Sequence, residues 1–264
     1  MQVATWNVNS VRTRLEHMLT WLKSHPEIDV LCLQETKVVD ADFPLEPFTN
    51  LGLHTYIYGQ KSYNGVAMIS RQPMSEVSMG FAAVLGDVAD LDDQKRAIAG
   101  IADGIRIVNL YVPNGSAVGS EKYEYKLRWL ATLKQYLQAL LAKDAKPTKL
   151  SICGDFNVAV EDIDIHDPSD RATQVMATDA ERAALQAILS LGFKDVFRKF
   201  TTEPGHYSWW DYRSGSFQRN RGWRIDYHFA TEALYDSAIA CTIDVEPRRL
   251  TQPSDHVPVI VEFS

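Results

Sequence analysis

Leu150-Ser151-Ile152-Cys153-Gly154-Asp155-Phe156-Asn157 is an apolar run that breaks at a glycine and then delivers a carboxylate and an amide. The run reads as a buried strand, and the end of a strand is where rigidly held side chains meet a substrate. Asp155 and Asn157 are two apart, so in extended geometry both face the same side. Such a pair can serve one metal, one water or one phosphate. The ordinary alternative is a turn, since aspartate after a strand often serves only to reverse the chain.

Working outward, Val3–Asn7 reads as a first strand, and Leu15, Met18, Leu19 and Leu22 follow at helical spacing until Pro26. Val30-Leu31-Cys32-Leu33 is a short apolar strand running into Gln34-Glu35. Thr55–Tyr58 and Val66–Ser70 read as paired strands. Arg96–Ala102 and Ile105–Val112 flank Asp103-Gly104, the strongest hairpin signal in the chain. The spacing of Leu127, Leu130, Leu133, Leu137, Leu140 and Leu141 predicts a long helix over 121–143, with Pro147 separating it from the central strand. Thr178-Asp179-Ala180-Glu181 is a capping-box pattern opening a helix that closes near Gly192. Ser208–Tyr212, Arg224–Ala230, Ala238–Val245 and Val257–Phe263 complete the expected strands. Helices mixed with hairpins and buried strands predict an α/β fold: two mixed sheets packed face to face with helices outside, as one domain over residues 1–264.

The 264 residues carry 27 Lys and Arg against 34 Asp and Glu, a net charge of −7 that argues against broad, salt-driven binding to nucleic acid. An acidic chain still binds phosphates where its site carries a divalent cation, and Arg219, Arg221 and Arg224 offer a local basic cluster. No run approaches the roughly 20 apolar residues of a membrane span, and Met1-Gln2-Val3-Ala4-Thr5-Trp6 lacks the basic and apolar regions expected of a signal peptide. Cys32, Cys153 and Cys241 lack zinc spacing and read as buried, reduced thiols of a cytoplasmic protein. Asn114-Gly115-Ser116 reads as a turn rather than a glycosylation site.

Polar residues recur at strand ends. Asn7, Glu35, Tyr111, Asp155 with Asn157, and Asp255 with His256 all lie at or just past an apolar run, and Asp226 lies within one. Singly each has a plain explanation: Asn7 as a turn cap, Tyr111 as a wall residue, Asp226 paired with Arg224 or His228. Together they describe one crevice. Oxygen donors without cysteine suit a hard cation. An EF-hand at Asp162-Ile163-Asp164 lacks its glycine and terminal glutamate, and neither a P-loop, a Gly-x-Ser-x-Gly elbow nor a dinucleotide fingerprint is present. A metal-assisted hydrolase whose substrate supplies phosphate oxygens remains.

These residues resemble the exonuclease III type of apurinic/apyrimidinic (AP) endonuclease, within the endonuclease/exonuclease/phosphatase superfamily. The resemblance spans essentially the whole chain. It rests on Trp6-Asn7-Val8-Asn9, Leu33-Gln34-Glu35-Thr36-Lys37, Asn64-Gly65-Val66-Ala67, Tyr111-Val112-Pro113-Asn114-Gly115, Gly154-Asp155-Phe156-Asn157, Gly222-Trp223-Arg224-Ile225-Asp226-Tyr227 and Ser254-Asp255-His256-Val257-Pro258, in that order. It implies a four-layer α/β sandwich and a magnesium site, with manganese as a substitute. Glu35 would be the principal ligand beside Asn7 and Asp255, and Asp155, Asn157 and His256 would also belong to the metal site. Asp155 would deprotonate the attacking water and Asn157 would hold it and the developing oxyanion. His256, fixed by Asp226, would donate to a phosphate oxygen, and Tyr111 would assist.

Trp209, Trp223 and Ile225 match the family's pocket for an extruded abasic sugar, with Trp210 read as core. Tyr63, Asn64, Arg96, Asn114 and Arg171 match its contacts to the DNA backbone or grooves. Three departures stand out. Asn9-Ser10 replaces the Asp-Gly of some relatives, Gly115–Gly119 offers no long wedge, and no counterpart of the animal N-terminal extension is expected. The implied partner is double-stranded DNA with abasic sites or 3′ ends. The protein would be a monomer, away from membranes, in the cytoplasm and beside the nucleoid of a prokaryote. Competing readings are a superfamily phosphoesterase for RNA or a small phosphate ester, and a catalytically dead DNA-binding scaffold; the latter predicts erosion of an acidic set that is intact.

Overall fold

The computed structural model describes residues 1–143 and 149–264, so the expected break at Pro147 lies outside the described residues. Its strands in chain order are β1 (Gln2–Asn7), β2 (Ile28–Gln34), β3 (His54–Tyr58), β4 (Val66–Ser70), β5 (Ser75–Met79), β6 (Ala97–Ala102), β7 (Ile105–Tyr111), β8 (Leu150–Asp155), β9 (Phe193–Asp195), β10 (Asp226–Thr231), β11 (Ala238–Ile243) and β12 (Val259–Phe263). They form two six-stranded sheets, ordered β11-β12-β1-β2-β4-β3 and β5-β6-β7-β8-β10-β9. Each is mixed: β1 runs parallel to β2 and β7 parallel to β8, while their remaining neighbours are antiparallel.

Period-2 alternation on β8 explains the layering. Ile152 faces outward into a cluster with Trp129, Leu130, Leu133, Tyr136, Leu137 and Leu140 of the helix Glu121–Lys143. Cys153 faces inward, where it meets Val3, Cys32, Met68 and Ile107 between the sheets. On the far face of the first sheet, Met18, Leu19, Trp21 and Leu22 of helix Leu15–Ser24 pack against Ala4, Leu31 and Ile69. Helix, sheet, sheet, helix: this is the four-layer sandwich expected from the sequence.

Asp103 and Gly104 both take positive φ (47° and 74°), the backbone of the predicted tight hairpin turn. The Thr178 capping box is present in full, with Thr178 and Glu181 exchanging side chain-to-backbone bonds. On the long helix, Leu127 and Leu141 are only half-buried, and Tyr123, Trp129 and Tyr136 take the better-buried positions.

One expected strand is not one. Around Ser208–Tyr212 only isolated bridges form, from Trp209 to Trp223 and to His256. The N–H groups of Ser208 and Trp209 both donate to the single carbonyl of Trp223, so no regular ladder can propagate. Similarly, Arg224 N–H donates to Asp164 O, outside the sheet, and β10 starts only at Asp226.

Gly154 is required where it stands. Its φ is +136°, and a Cβ there would lie 1.9 Å from Leu110 O on β7. Backbone cannot yield as a flexible side chain does. Gly154→Ala is therefore expected to lower unfolding free energy by about 3 kcal/mol or more, read as an earlier urea midpoint; an unchanged midpoint would show that β7 and β8 separate freely.

Candidate active site

The parallel β7–β8 register pairs Tyr111 with Asp155, and the antiparallel β8–β10 register pairs Asp155 with Asp226. From the other sheet, β1 ends at Asn7 beside Gln34, the residue before Glu35. The ends of five strands thus converge, and Glu35 and Asn157 turn out of theirs through positive φ (52° and 48°).

Asn7 joins the two sheets. Its Nδ2 donates to Glu35 Oε1 at 2.9 Å and to Asp155 Oδ2 at 2.8 Å. His256 lies between two carboxylates, with Nδ1 2.8 Å from Asp226 Oδ2 and Nε2 3.6 Å from Asp155 Oδ2. Ser208 Oγ donates to Asp226 Oδ2 at 2.7 Å, and Trp6 Nε1 donates to His256 O at 3.2 Å. All of these groups except Glu35 are buried. Asp226 therefore serves His256. Its sequence neighbours are engaged elsewhere, Arg224 with Asp164 and Asp195, and His228 with Val259 O.

Burial alone would strip the proton from His256, but Asp226 and Asp155 overcome it and hold the imidazole's pKa above its ordinary value. Burial likewise lifts Asp155 above the usual carboxylate range, with His256 opposing. Glu35 goes the other way: burial raises it, yet the Lys37 ammonium at 2.9 Å, Asn7 and the Tyr111 hydroxyl together hold it low. Tyr111 stays protonated, raised by burial and by Glu35. Asp255 sits one step aside, its oxygens accepting from Asn9 Nδ2 and Trp209 Nε1, each at 3.0 Å.

Asn157 is fixed on every side. Its N–H donates to Asp155 Oδ1 (2.9 Å), its Nδ2 to Val112 O (3.0 Å), and its Oδ1 accepts from Asn114 Nδ2 (3.0 Å). Arg96 is buried with its guanidinium 4.6 Å from the Tyr111 ring centre and Nη1 donating to Tyr111 O, so it steadies Tyr111. Arg96, Tyr111, Asn114, Asn64 and the 70% exposed Tyr63 line one cavity of about 510 Å³. Trp209, Trp223 and Met176 line another of about 370 Å³. Ile225 is buried within the same apolar cluster but does not line that cavity. Arg171 is committed to Asp179 (2.6 Å) and Asp162 (2.9 Å). Arg224 is buried in its own ion pairs and does not join Arg219 and Arg221 in a basic surface. Trp210 is core, as read from the sequence.

Asp155, Asp226 and His256 place one ligand atom each within 4.8 Å of one another, a carboxylate–imidazole group able to hold a metal ion. Among the described residues no helix is long and apolar enough to cross a membrane.

The Endonuclease/Exonuclease/phosphatase family model matches residues 4–256. This chain belongs to that family. It is 35% identical over 262 residues to the exodeoxyribonuclease of Bacillus subtilis, covering 98% of each chain. Its fold matches an AP endonuclease from Archaeoglobus fulgidus with a TM-score of 0.92 at 39% identity, covering 100% of this chain and 99% of that one. It matches the 3′ phosphatase NExo from Neisseria, bound to a product DNA hairpin, with a TM-score of 0.93 at 37% identity and the same coverage. Members of the family depend on metal.

Lys37, Asn9 and Ser208, for which the sequence suggests no role, hold Glu35, Asp255 and Asp226 respectively. Lys37 and Asn9 stood inside the motif blocks already quoted. Ser208 carried no signal of its own.

The imidazole sets a pH expectation. With its pKa raised in the folded state, His256 contributes stability that is complete below about 6.5 and is lost as pH rises through its folded value. By NMR of the ring nitrogens, His256 should titrate well above that value in the wild type. In Asp226→Asn the midpoint should fall by more than about one unit; an unmoved midpoint would mean that Asp226 does not hold the proton.

Proposed function

We propose that this chain is a divalent-cation-dependent DNA phosphodiesterase that hydrolyses the backbone 5′ to abasic sites and trims 3′ ends with 3′-to-5′ exonuclease activity. The observation that carries the reading is Asn7 bridging Glu35 to Asp155 while His256 stands between Asp155 and Asp226. The names of the relatives support DNA as the substrate: exodeoxyribonuclease, AP endonuclease and a 3′ phosphatase bound to DNA. The hydrophobic layer shared by both sheets supports a single catalytic domain, acting as a monomer.

In this reading Asp155, whose raised pKa makes it a fair base near neutrality, takes the proton of the attacking water. The water oxygen bonds to phosphorus, the P–O3′ bond breaks, and the released 3′ oxygen takes a proton from solvent. Asn157 Nδ2 spends one N–H on Val112 O and keeps a second for the attacking oxygen. His256, protonated through Asp226, donates from Nε2 to a non-bridging phosphate oxygen. The Tyr111 hydroxyl, buttressed by Arg96, donates beside Glu35.

Glu35 would hold the cation with Asn7 and Asp255 near it; Mg²⁺ or Mn²⁺ held there would supply neutralisation of phosphate charge. The donor set fits: Glu35, Asn7 and Asp255 offer oxygens and no sulfur, the ligand chemistry of a hard cation. Trp209 and Trp223 wall the cavity for a sugar that lacks its base; the same site acting on RNA or a small phosphate ester would have no use for that wall.

A duplex carrying one abasic analogue should be cut on its 5′ side in magnesium and left whole in chelator, beside an intact duplex cut only from its 3′ ends. Trp223→Ala should lower kcat/KM at the abasic site about 10-fold or more while sparing removal of a 3′ phosphate. Cleavage that survives chelation, or equal losses on both substrates, would refute this assignment.

A further inference from the structure

The long helix hides a charge. Tyr123, Lys126, Leu130, Leu133, Leu137 and Leu140 follow a 3-4 spacing along one stripe, and Lys126 is 0% exposed within it. An ammonium has three N–H donors, and all three are used: Nζ donates to Asn157 O at 2.7 Å, to Asn114 O at 3.1 Å and to Glu181 Oε1 at 2.5 Å. Two of those acceptors are the backbone carbonyls of the amide pair that fixes the Asn157 side chain. The third, Glu181, also accepts from Met176 N and Thr178 N, anchoring the segment that carries Met176 into the cavity beside Trp209 and Trp223.

Burying such a pair costs desolvation that its attraction barely repays, so stability gives weak reason to keep it. Geometry gives a better one. Asn114 and Asn157 leave different strands, β7 and β8, through loops with no ladder between them, and Asn157 holds a positive φ of 48°. A single rigid donor reaching both carbonyls sets their separation.

We propose that Lys126 is a positioning residue for hydrolysis: it clamps the backbones of Asn157 and Asn114 from behind, so that the Asn157 amide faces the attacking oxygen. This rests on the phosphodiesterase reading above. It deepens that reading by adding a residue that touches neither substrate nor cation. Glu181 neutralises it and ties the same clamp to the wall of the abasic-sugar cavity.

The test uses the full chain with Lys126→Met, which keeps the stem and removes all three donors, Lys126→Gln, which restores N–H donors without charge, and Leu137→Ala, a core truncation about three turns away on the same helix. All are assayed on the abasic duplex well below their melting temperatures. Leu137→Ala should lower Tm and keep kcat within about twofold. Lys126→Met should lower kcat about 10- to 100-fold with KM nearly unchanged, and Lys126→Gln should recover part of that loss. A kcat loss in Leu137→Ala matching that of Lys126→Met at equal Tm depression, or none in Lys126→Met, overturns the proposal. Should Lys126→Met fail to fold, the side-chain amide resonances of Asn157 and Asn114 decide in Lys126→Gln: shifted signals support the clamp, unmoved ones overturn it. Those resonances need no substrate, so a wild type inactive on abasic DNA would sink the phosphodiesterase reading and leave the clamp separately judged.

Discussion

Two buried carboxylates facing each other across a strand pair set the terms for this structure. Asp155 and Asp226 are register partners on β8 and β10, and like charges so placed repel strongly in a medium that screens poorly. The fold answers by inserting His256 between them and by turning the Asn7 amide toward Asp155. Each answer comes from far away in sequence. Asn7 belongs to the other sheet, and His256 sits on the segment entering β12, its carbonyl tied to Trp6 and its N–H to Ser254. The two sheets must therefore meet edge to mouth at this end, and their packing is inseparable from the balance of charge.

Behind that balance lies a second tier of buried ions. Lys126 with Glu181, and Arg224 with Asp164, are withdrawn from water, and the half-buried Asp195 holds Arg224 from its other side. Neither contact is an efficient source of stability. Both fasten irregular segments to regular ones: Lys126 fastens the ends of β7 and β8 to a helix, and Arg224 fastens the segment around Asp164 to the start of β10. Loops built from such anchors can carry side chains with the precision of strands. That is why a site assembled largely from strand ends and loops can still align groups from both sheets.

Much of this was legible in the sequence, for an identifiable reason. Glu35, Asp155 and Asn157 lie at or just past the ends of apolar runs, and a polar residue after a buried strand has few places to go except a crevice. The two-sheet sandwich followed from the hairpin at Asp103-Gly104 and the buried strands. What escaped was governed by tertiary contacts. Ser208–Tyr212 has the aromatic content of a strand, but Ser208 spends its hydroxyl on Asp226 and its N–H on a carbonyl shared with Trp209. Arg224 looked like part of a surface cluster until Asp164 and Asp195 drew it inward. β5 and β9 lie at sheet edges, and their short or half-exposed sequences lack a clear alternation. Lys126 has the spacing of a core residue without the apolar side chain that marks one.

Removal of the proton from the attacking water by Asp155 is the step on which the chemistry turns. It is tested most directly by single-turnover cleavage of abasic DNA across pH, in saturating magnesium, for the wild type and Asp155→Asn. The wild-type rate should climb about tenfold per pH unit and then level off, with the bend above the ordinary carboxylate value of about 3.9, because burial raises Asp155. Asp155→Asn should lose at least about 100-fold together with that rising limb. A variant that keeps the limb with its bend in place, at a rate near that of the wild type, would assign the base to another group.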